Sequence, residues 1–354
     1  MGIFASTVGI GQKIDMNALT AHAQIQEAVG LLHAEKHPSM ILIIFSPRAE
    51  RFIHLARWAC DIIHGVPSIE VKDDWLTRND QELYGKIGLR INLKLGGQNH
   101  VVDPADLGFF ANRSTMIVGV TEESVPATKV GTSAFSVIGV VASSGSHLSQ
   151  WPAEIKIQKA NARVPYHLNT LIESRLHSWR EEHGNRMPED IVIFHSNLPD
   201  EDKGLWVEQE VALLRNMCTK MALVGGRHSP LPRIAIVLVD EHHDARFFPT
   251  AETESSKFGH PLAGTVVDRG ITQPGCWDFL LQPLGLMSMK YSAGAVPLQT
   301  PALAPPIYYK ISLTSSAIYL ENQHVHRVFA HRYTMHVRLV PEPVLIVTSL
   351  TALL

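Results

Sequence analysis

Apolar and polar positions along the chain change period several times, and each change marks an element. In residues 17–36, Ile25, Val29 and Leu32 fall on one face at helical spacing, so a helix is predicted. The run SMILIIF (39–45) is continuously apolar and short, the pattern of a strand buried on both faces. Residues 49–63 return to a helix-like pattern, and INLKLGG (91–97) ends this first α/β block as a strand before the connector from Gln98 to Arg113. The block comprises roughly 110 residues, the scale of a small domain.

From Met116 the order differs. MIVGV (116–120), SVIGVVA (136–142) and EIKI (154–157) read as three successive strands with short polar connections, a meander. Leu168, Ile172, Leu176 and Trp179 then mark an amphipathic helix, which Gly184 is placed to end before the strand IVIF (191–194). Val207, Val211, Leu214, Cys218 and Met221, spaced four, three, four and three apart, predict another helix, and IAIVLV (234–239) another buried strand. Three strands, helix, strand, helix, strand is the order of an RNase H-like fold.

Composition narrows the function classes. The 354 residues are 45% hydrophobic and 18% charged, within the range of a globular protein of two domains. Lys and Arg number 31 against 34 Asp and Glu, so a wholly basic nucleic-acid-coating surface is excluded and any such site is a local basic pocket. Cys60, Cys218 and Cys276 are isolated, which provides neither a disulfide framework nor a CxxC metal site and fits a reducing compartment. No signal-type start is read in MGIFASTVGIGQK, and the apolar tail Val344 to Leu354 is too short to span a bilayer. The expected location is cytoplasmic, with the nucleus as the alternative and no membrane partner. GIGQK (9–13) is too short for a phosphate loop and GxSxG is absent, so a nucleotide hydrolase and an α/β-hydrolase have no support.

One stretch carries more specific information. GHPLAGTVVDRGITQPGCWDFLLQ (259–282), with INLKLGG, DEHHDARFFP (240–249), WPAEIKIQ (151–158) and SVIGVVAS (136–143) in the same order, resembles the MID–PIWI portion of a fungal-like Argonaute. Residues 17–105 are similar to most of a MID domain and 112–354 to a PIWI domain. The resemblance implies an α/β chain with a Rossmann-like MID domain (1–111) followed by an RNase H-like PIWI domain (112–354), and a truncated Argonaute without N-terminal and PAZ domains. In it Gly264 to Asp268 becomes a buried strand of the PIWI core. The implied partners are a small guide RNA with a 5′ phosphate, its RNA target and proteins of a silencing complex.

The same resemblance implies a catalytic set that holds two divalent metals with three acids plus an Asp or His, as oxygen-seeking Mg²⁺ requires. Those positions fall on Thr121, Arg163, Ser196 and Ile307. Glu122 adjoins the first, but neighbouring strand residues face apart, and Glu123 has the right parity one pleat too far along. No catalytic residue, metal ligand or cofactor is therefore assigned, and the expected protein binds RNA without slicing it. Two alternatives stand: an interaction module or decaying remnant that binds no RNA, and a metal-dependent nuclease using Asp200, Asp202 or Glu123.

For guide binding, the family's stacking Tyr falls on Ile53, its two Lys on Arg57 and Lys94, its Gln on Ile69, and a further basic position on Arg90 of the INLKLGG strand. Charge is kept and stacking is lost. Arg57 is read either as a phosphate contact or as part of a solvated helix face. His243 and Arg246 match a basic run beside the guide backbone, which Glu241 and Asp244 dilute. The pair His242 and His243 would face apart on an extended segment, with no third metal ligand spaced to join them. The ending VPEPVLIVTSLTALL is apolar where the family has aromatic and basic residues.

Overall fold

The computed structural model describes residues 20–78, 80–99, 101, 114–125, 134–145, 148, 150–159, 168–196, 203–223, 230–240, 243–250, 253, 255, 261–274, 276–282 and 306–314, with side chains left out at 124–125, 203–206 and 312–314. Arg163, Asp200, Asp202, Glu241, His242 and the C-terminal ending lie outside these residues. The chain forms two compact units, Met1–Val101 and Val102–Leu354.

In the first unit, α1 (Ala21–Lys36) buries Ala21, Ile25, Ala28 and Val29, with Leu32 half-buried, so its apolar stripe is the one the spacing predicted. It stops at His37, whose positive φ of 43° ends the helix. Strand β1 (Ile41–Phe45) leads into one continuous helical stretch with three windings: a tight 3₁₀ turn at Pro47–Phe52, α2 (Ile53–Arg57) and a wide π turn at Trp58–Ile63. Pro47 begins it, where its missing N–H is no loss. Strand β2 (Ser68–Lys72) then pairs in parallel with β1, Ile41 opposite Ser68. A short α3 (Asp73–Leu76) and α4 (Gln81–Lys94) complete the unit.

Two expectations are corrected here. INLKLGG is not a strand, because Ile91 to Lys94 form the last turn of α4. Ile91, Leu93 and Leu95 mimic strand alternation, but the half-buried positions Leu83, Ile87 and Ile91 recur every four residues. The Asp80 carboxylate caps the helix by accepting from the Glu82 and Leu83 amides at 3.0 and 3.2 Å, and Gly96 follows it at φ 81°. Nor is β1 buried on both faces. Ile41, Ile43 and Phe45 share the inner face, whereas Leu42 and Ile44 are 42% and 55% exposed. Within the described residues the helices cover one face of this two-stranded sheet.

The second unit is built on an eight-stranded sheet. Its strands are β3 (Thr115–Val125), β4 (Phe135–Ala142), β5 (Ala153–Lys159), β6 (Asp190–Ser196), β7 (Arg233–Asp240), β8 (Val266–Val267), β9 (Trp277–Leu281) and β10 (Ile307–Thr314). They lie in the order β5-β4-β3-β6-β7-β10-β9-β8. The meander β3-β4-β5 is antiparallel, and β6 and β7 add in parallel beside β3. Helices α5 (Leu168–Glu182) and α6 (Lys203–Leu223) make the crossovers. This is the RNase H-like arrangement that the element order predicted.

Both faces of the central strands are packed, which explains their continuous apolar runs. On the helix side Val118, Val120, Ile193 and Ile236 cluster with Leu171, Ile172 and Leu176 of α5 and with Val211, Leu214 and Cys218 of α6. On the other side Phe194, Val237, Val239, Phe279 and Tyr309 cluster, the last two rings stacked 5.1 Å apart. Buried Asp190 opens β6 and accepts two bonds from the Arg233 guanidinium at 2.5 and 2.6 Å, a fork that pins β6 to β7.

The segment from Gly264 to Asp268 is corrected as well. It contributes the two-residue, half-buried β8 at the sheet's edge, while the buried strand is β9, hydrogen-bonded on both sides by β8 and β10. Gly264 supplies a turn at φ 89°, and its amide bonds the Gln282 carbonyl at 2.8 Å.

Glu210 on α6 is fully buried, and neither carboxylate oxygen has a hydrogen-bond partner among the described residues. Burial raises its pKa to about 7, so the folded state holds a proton that the unfolded chain releases. Its contribution is therefore complete below the ordinary value of 4.5 and lost as pH rises to about 7. Buried His195, lowered to about 4, acts in the opposite direction, its contribution being lost as pH falls below 6.5. Glu210→Gln should match the parent near pH 4.5 and be more stable at pH 8 by about 1–3 kcal/mol. Denaturant unfolding at the two pH values measures this, and a variant equally destabilised at both would contradict it.

Candidate nucleic-acid interface

Strand register decides which of the four catalytic-set positions meet. Thr121 on β3 pairs with Ser196 on β6, Ser196 with Val239 on β7, Val239 with Tyr309 on β10, and Tyr309 with Phe279 on β9. This row lies on the face away from the helices, because Val118 and Val120, of opposite parity to Thr121, pack beneath α5 and α6. Thr121 and Ser196 thus stand side by side and are both buried. Ile307, two residues before Tyr309, shares the face and lies within its apolar cluster.

The chemistry of these side chains does not suit a pair of divalent metals. Thr121 and Ser196 present neutral hydroxyls, the latter donating to the Val120 carbonyl at 3.3 Å, and Ile307 presents hydrocarbon. Hard cations need charged oxygen ligands, and this row offers none. Glu122 points to the helix face, where it accepts from Gln158 Nε2 at 3.1 Å, as its parity required. Glu123 is exposed one pleat beyond Thr121 and pairs with Val137. Among the described residues no group of three or more His, Cys, Asp or Glu side chains is placed to hold a metal ion.

In the first unit, two of the predicted cations, Lys94 and Arg90, each meet an acid that the sequence did not mark. Arg57 closes α2 and is half-buried, with no ion pair among the described residues. Asp61 follows one turn later on the same helical stretch. Its Oδ2 lies 3.9 Å from Lys94 Nζ at the end of α4, and its Oδ1 accepts from Ser68 Oγ at 2.8 Å. One turn back on α4, Arg90 reaches Glu70 of β2 at 3.4 Å. Ile69, between Ser68 and Glu70, is wholly buried, and Ile53 is half-buried.

The two ion pairs are long and partly solvated, a class that contributes about 0–1 kcal/mol. They can be exchanged at small cost for an incoming anion, and Arg57 has no described pair to break. Asp61 meets Lys94, a residue far from it in sequence, so no local spacing marked it. Lys94 as its partner came from α4 being a helix, which carries residue 94 to the place where a strand would not.

In the second unit, His243 and Arg246 lie on an extended segment. His243 is half-buried, and its Nε2 lies 2.8 Å from the Pro306 carbonyl, a bond that ties the segment to the start of β10. Its ring therefore acts as a strut, with Nδ1 buried and unbonded among the described residues. Arg246 is exposed, and its Nη1 donates to the His243 and Ala245 carbonyls at 3.0 and 2.7 Å. Of the two, Arg246 is the one with donors directed to solvent, beside exposed Asp244.

Comparison with known proteins places the chain in a family. A family model described as the Piwi domain matches residues 40–285, more than half of the chain. The chain is 26% identical over 205 residues to argonaute 3 of Oryza sativa subsp. japonica, covering 58% of this chain and 18% of that protein. It is 27% identical over 255 residues to argonaute-2 of Drosophila melanogaster, covering 71% and 20%. It therefore spans about a fifth of the length of these relatives. Among solved structures it is similar to Kluyveromyces polysporus Argonaute with a guide RNA, at TM-score 0.69 and 20% identity over 83% of this chain and 35% of that one. The C-terminal lobe of a budding yeast Argonaute also aligns at TM-score 0.69, with 19% identity over 83% and 58%. At these identities the structural likeness concerns the fold.

A carboxylate introduced at position 196 would be buried against the Val120 carbonyl, with no cation beside it among the described residues. Ser196→Asp is expected to lower the unfolding free energy by about 1–3 kcal/mol at neutral pH. The penalty should shrink as the new carboxyl is protonated in acid. A thermal melt series across pH tests this, and an unchanged midpoint at neutral pH would refute it.

Proposed function

The chain belongs to the Piwi-domain family, and on that premise we propose that it holds a guide RNA by its 5′ phosphate without cutting the RNA paired to it. The observation that carries the non-slicing half is the side-by-side placement of Thr121 and Ser196, two neutral hydroxyls where a two-metal site would need adjacent carboxylates. Ile307 on the same face adds a third position without an oxygen ligand.

The binding half rests on Arg57, Lys94 and Arg90. A guanidinium meets a phosphate through two parallel N–H bonds, while an ammonium acts as a point charge. In this reading the incoming phosphate takes the place of the Asp61 carboxylate at Lys94 and gains Arg57. Asp61 opposes it as a resident anion. Ile53 gives no planar contact to the first base, a loss of about 1–3 kcal/mol relative to an aromatic platform. In the second unit, exposed Arg246 is a separate cation proposed to meet RNA phosphates. The guide-bound state of the Kluyveromyces relative supports RNA as the partner class.

Fluorescence anisotropy with single-stranded RNA bearing a 5′ phosphate or a 5′ hydroxyl tests the binding half. The phosphorylated strand is expected to bind more tightly, and Arg57→Ala or Lys94→Ala to abolish the preference. Asp61→Asn should increase affinity for the phosphorylated strand by about three- to tenfold, since removing one charge beside the pocket changes binding by roughly a kcal/mol. Equal affinity for both strands would overturn the 5′-phosphate pocket, and no measurable binding of either would instead support an interaction module that binds no RNA. For the non-slicing half, a guided complementary target should remain intact in Mg²⁺ or Mn²⁺, and site-specific cleavage would reverse the reading in favour of displaced carboxylates.

A further inference from the structure

The meander ends in β5, which has β4 on one side and no strand on the other among the described residues. The Ala142 amide donates to the Pro152 carbonyl at 3.2 Å, which fixes the parity of the pairing. With Glu154 opposite Val140 and Lys156 opposite Ile138, the even-numbered residues point their backbone groups toward β4. Ala153, Ile155 and Ile157 therefore direct their N–H and C=O groups outward. Ile155 and Ile157 are also 49% and 66% exposed, on the face that carries Thr121. Free backbone groups beside exposed isoleucines form a template for another strand.

We infer that β5 is a self-pairing edge at which a second copy of this chain docks antiparallel, joining two eight-stranded sheets about a two-fold axis through Ile155. The charge pattern selects this register. Centred on Ile155, each Glu154 faces the other copy's Lys156, each Ala153 faces Ile157, and the outward backbone groups of both strands meet. Centring on Lys156 would set two ammonium groups opposite each other, and centring on Ile157 would set Ile155 against Lys159 and leave Lys156 without an acid. Opposite charges across strands are favourable and like charges unfavourable, so the first arrangement wins. It is isologous, as a closed dimer requires. Glu154 already accepts from Arg175 Nη2 of α5 at 3.1 Å through Oε2, which holds its side chain at the edge. The inference is independent of RNA binding.

Sedimentation of the full chain over a range of concentrations tests it. The mass should rise toward that of two chains as concentration increases. Lys156→Glu and Glu154→Lys should each weaken association by about tenfold, since each turns two attractive cross-strand pairs into repulsive ones. An equimolar mixture of the two variants should associate again, because every reversed side chain then meets its opposite charge. Lys156 is exposed, so its reversal leaves the fold intact. Glu154→Lys loses the Arg175 contact, and Ile155→Lys, which sets two cations on the axis, gives the same readout without touching it. A chain that stays single at all concentrations would overturn the inference. So would association insensitive to these reversals, or a mixture that does not recover.

Discussion

The parallel hydrogen-bond register between β3, β6 and β7 governs the second unit. Setting Thr121 against Ser196 and Ser196 against Val239 assigns every side chain on three central strands to one of two faces. Valines and isoleucines of one parity pack under α5 and α6, and the other parity carries the row that would bear catalysis. A slip of one residue would exchange those faces entirely. The buried Asp190–Arg233 fork at the start of β6 and β7 resists such a slip, because a displaced register would separate two charges already removed from water.

That register also brings Thr121 and Ser196 together from distant parts of the sequence. A threonine and a serine scattered on a surface would carry no message. Side by side, buried and neutral, they lie on the face where Phe194, Val239 and Ile307 form an apolar cluster. In the first unit Lys94 and Arg90 are paired instead with Asp61 and Glu70. The fold of the second unit does not by itself fix what the chain does.

Much of this was legible from periodicity. The three strands of the meander, the helices around Ile172 and Leu214, and the strands ending at Phe194 and Val239 all follow from apolar spacing, since each buries a face whose period the sequence records. The parity of Glu122 was equally readable, because pleat alternation is local. INLKLGG misled because Ile91, Leu93 and Leu95 alternate by two over a stretch too short to expose the four-residue recurrence from Leu83. The Gly264 to Asp268 run misled in another way: its specificity as a family mark says nothing of how many hydrogen-bonded neighbours a strand acquires.

The sequence by itself determined most of the element types, the order of strands and helices in the second unit, and that positions 121, 196 and 307 carry no carboxylate, since these depend on residue identity and local period. Tertiary structure decided that Thr121 and Ser196 share one row, that Asp61 meets Lys94, that His243 braces Pro306, and that β5 lies at an edge. Each of these joins residues distant in sequence through strand pairing or helix placement. Such contacts arise from closure of the whole sheet or domain, and no local window of residues contains them.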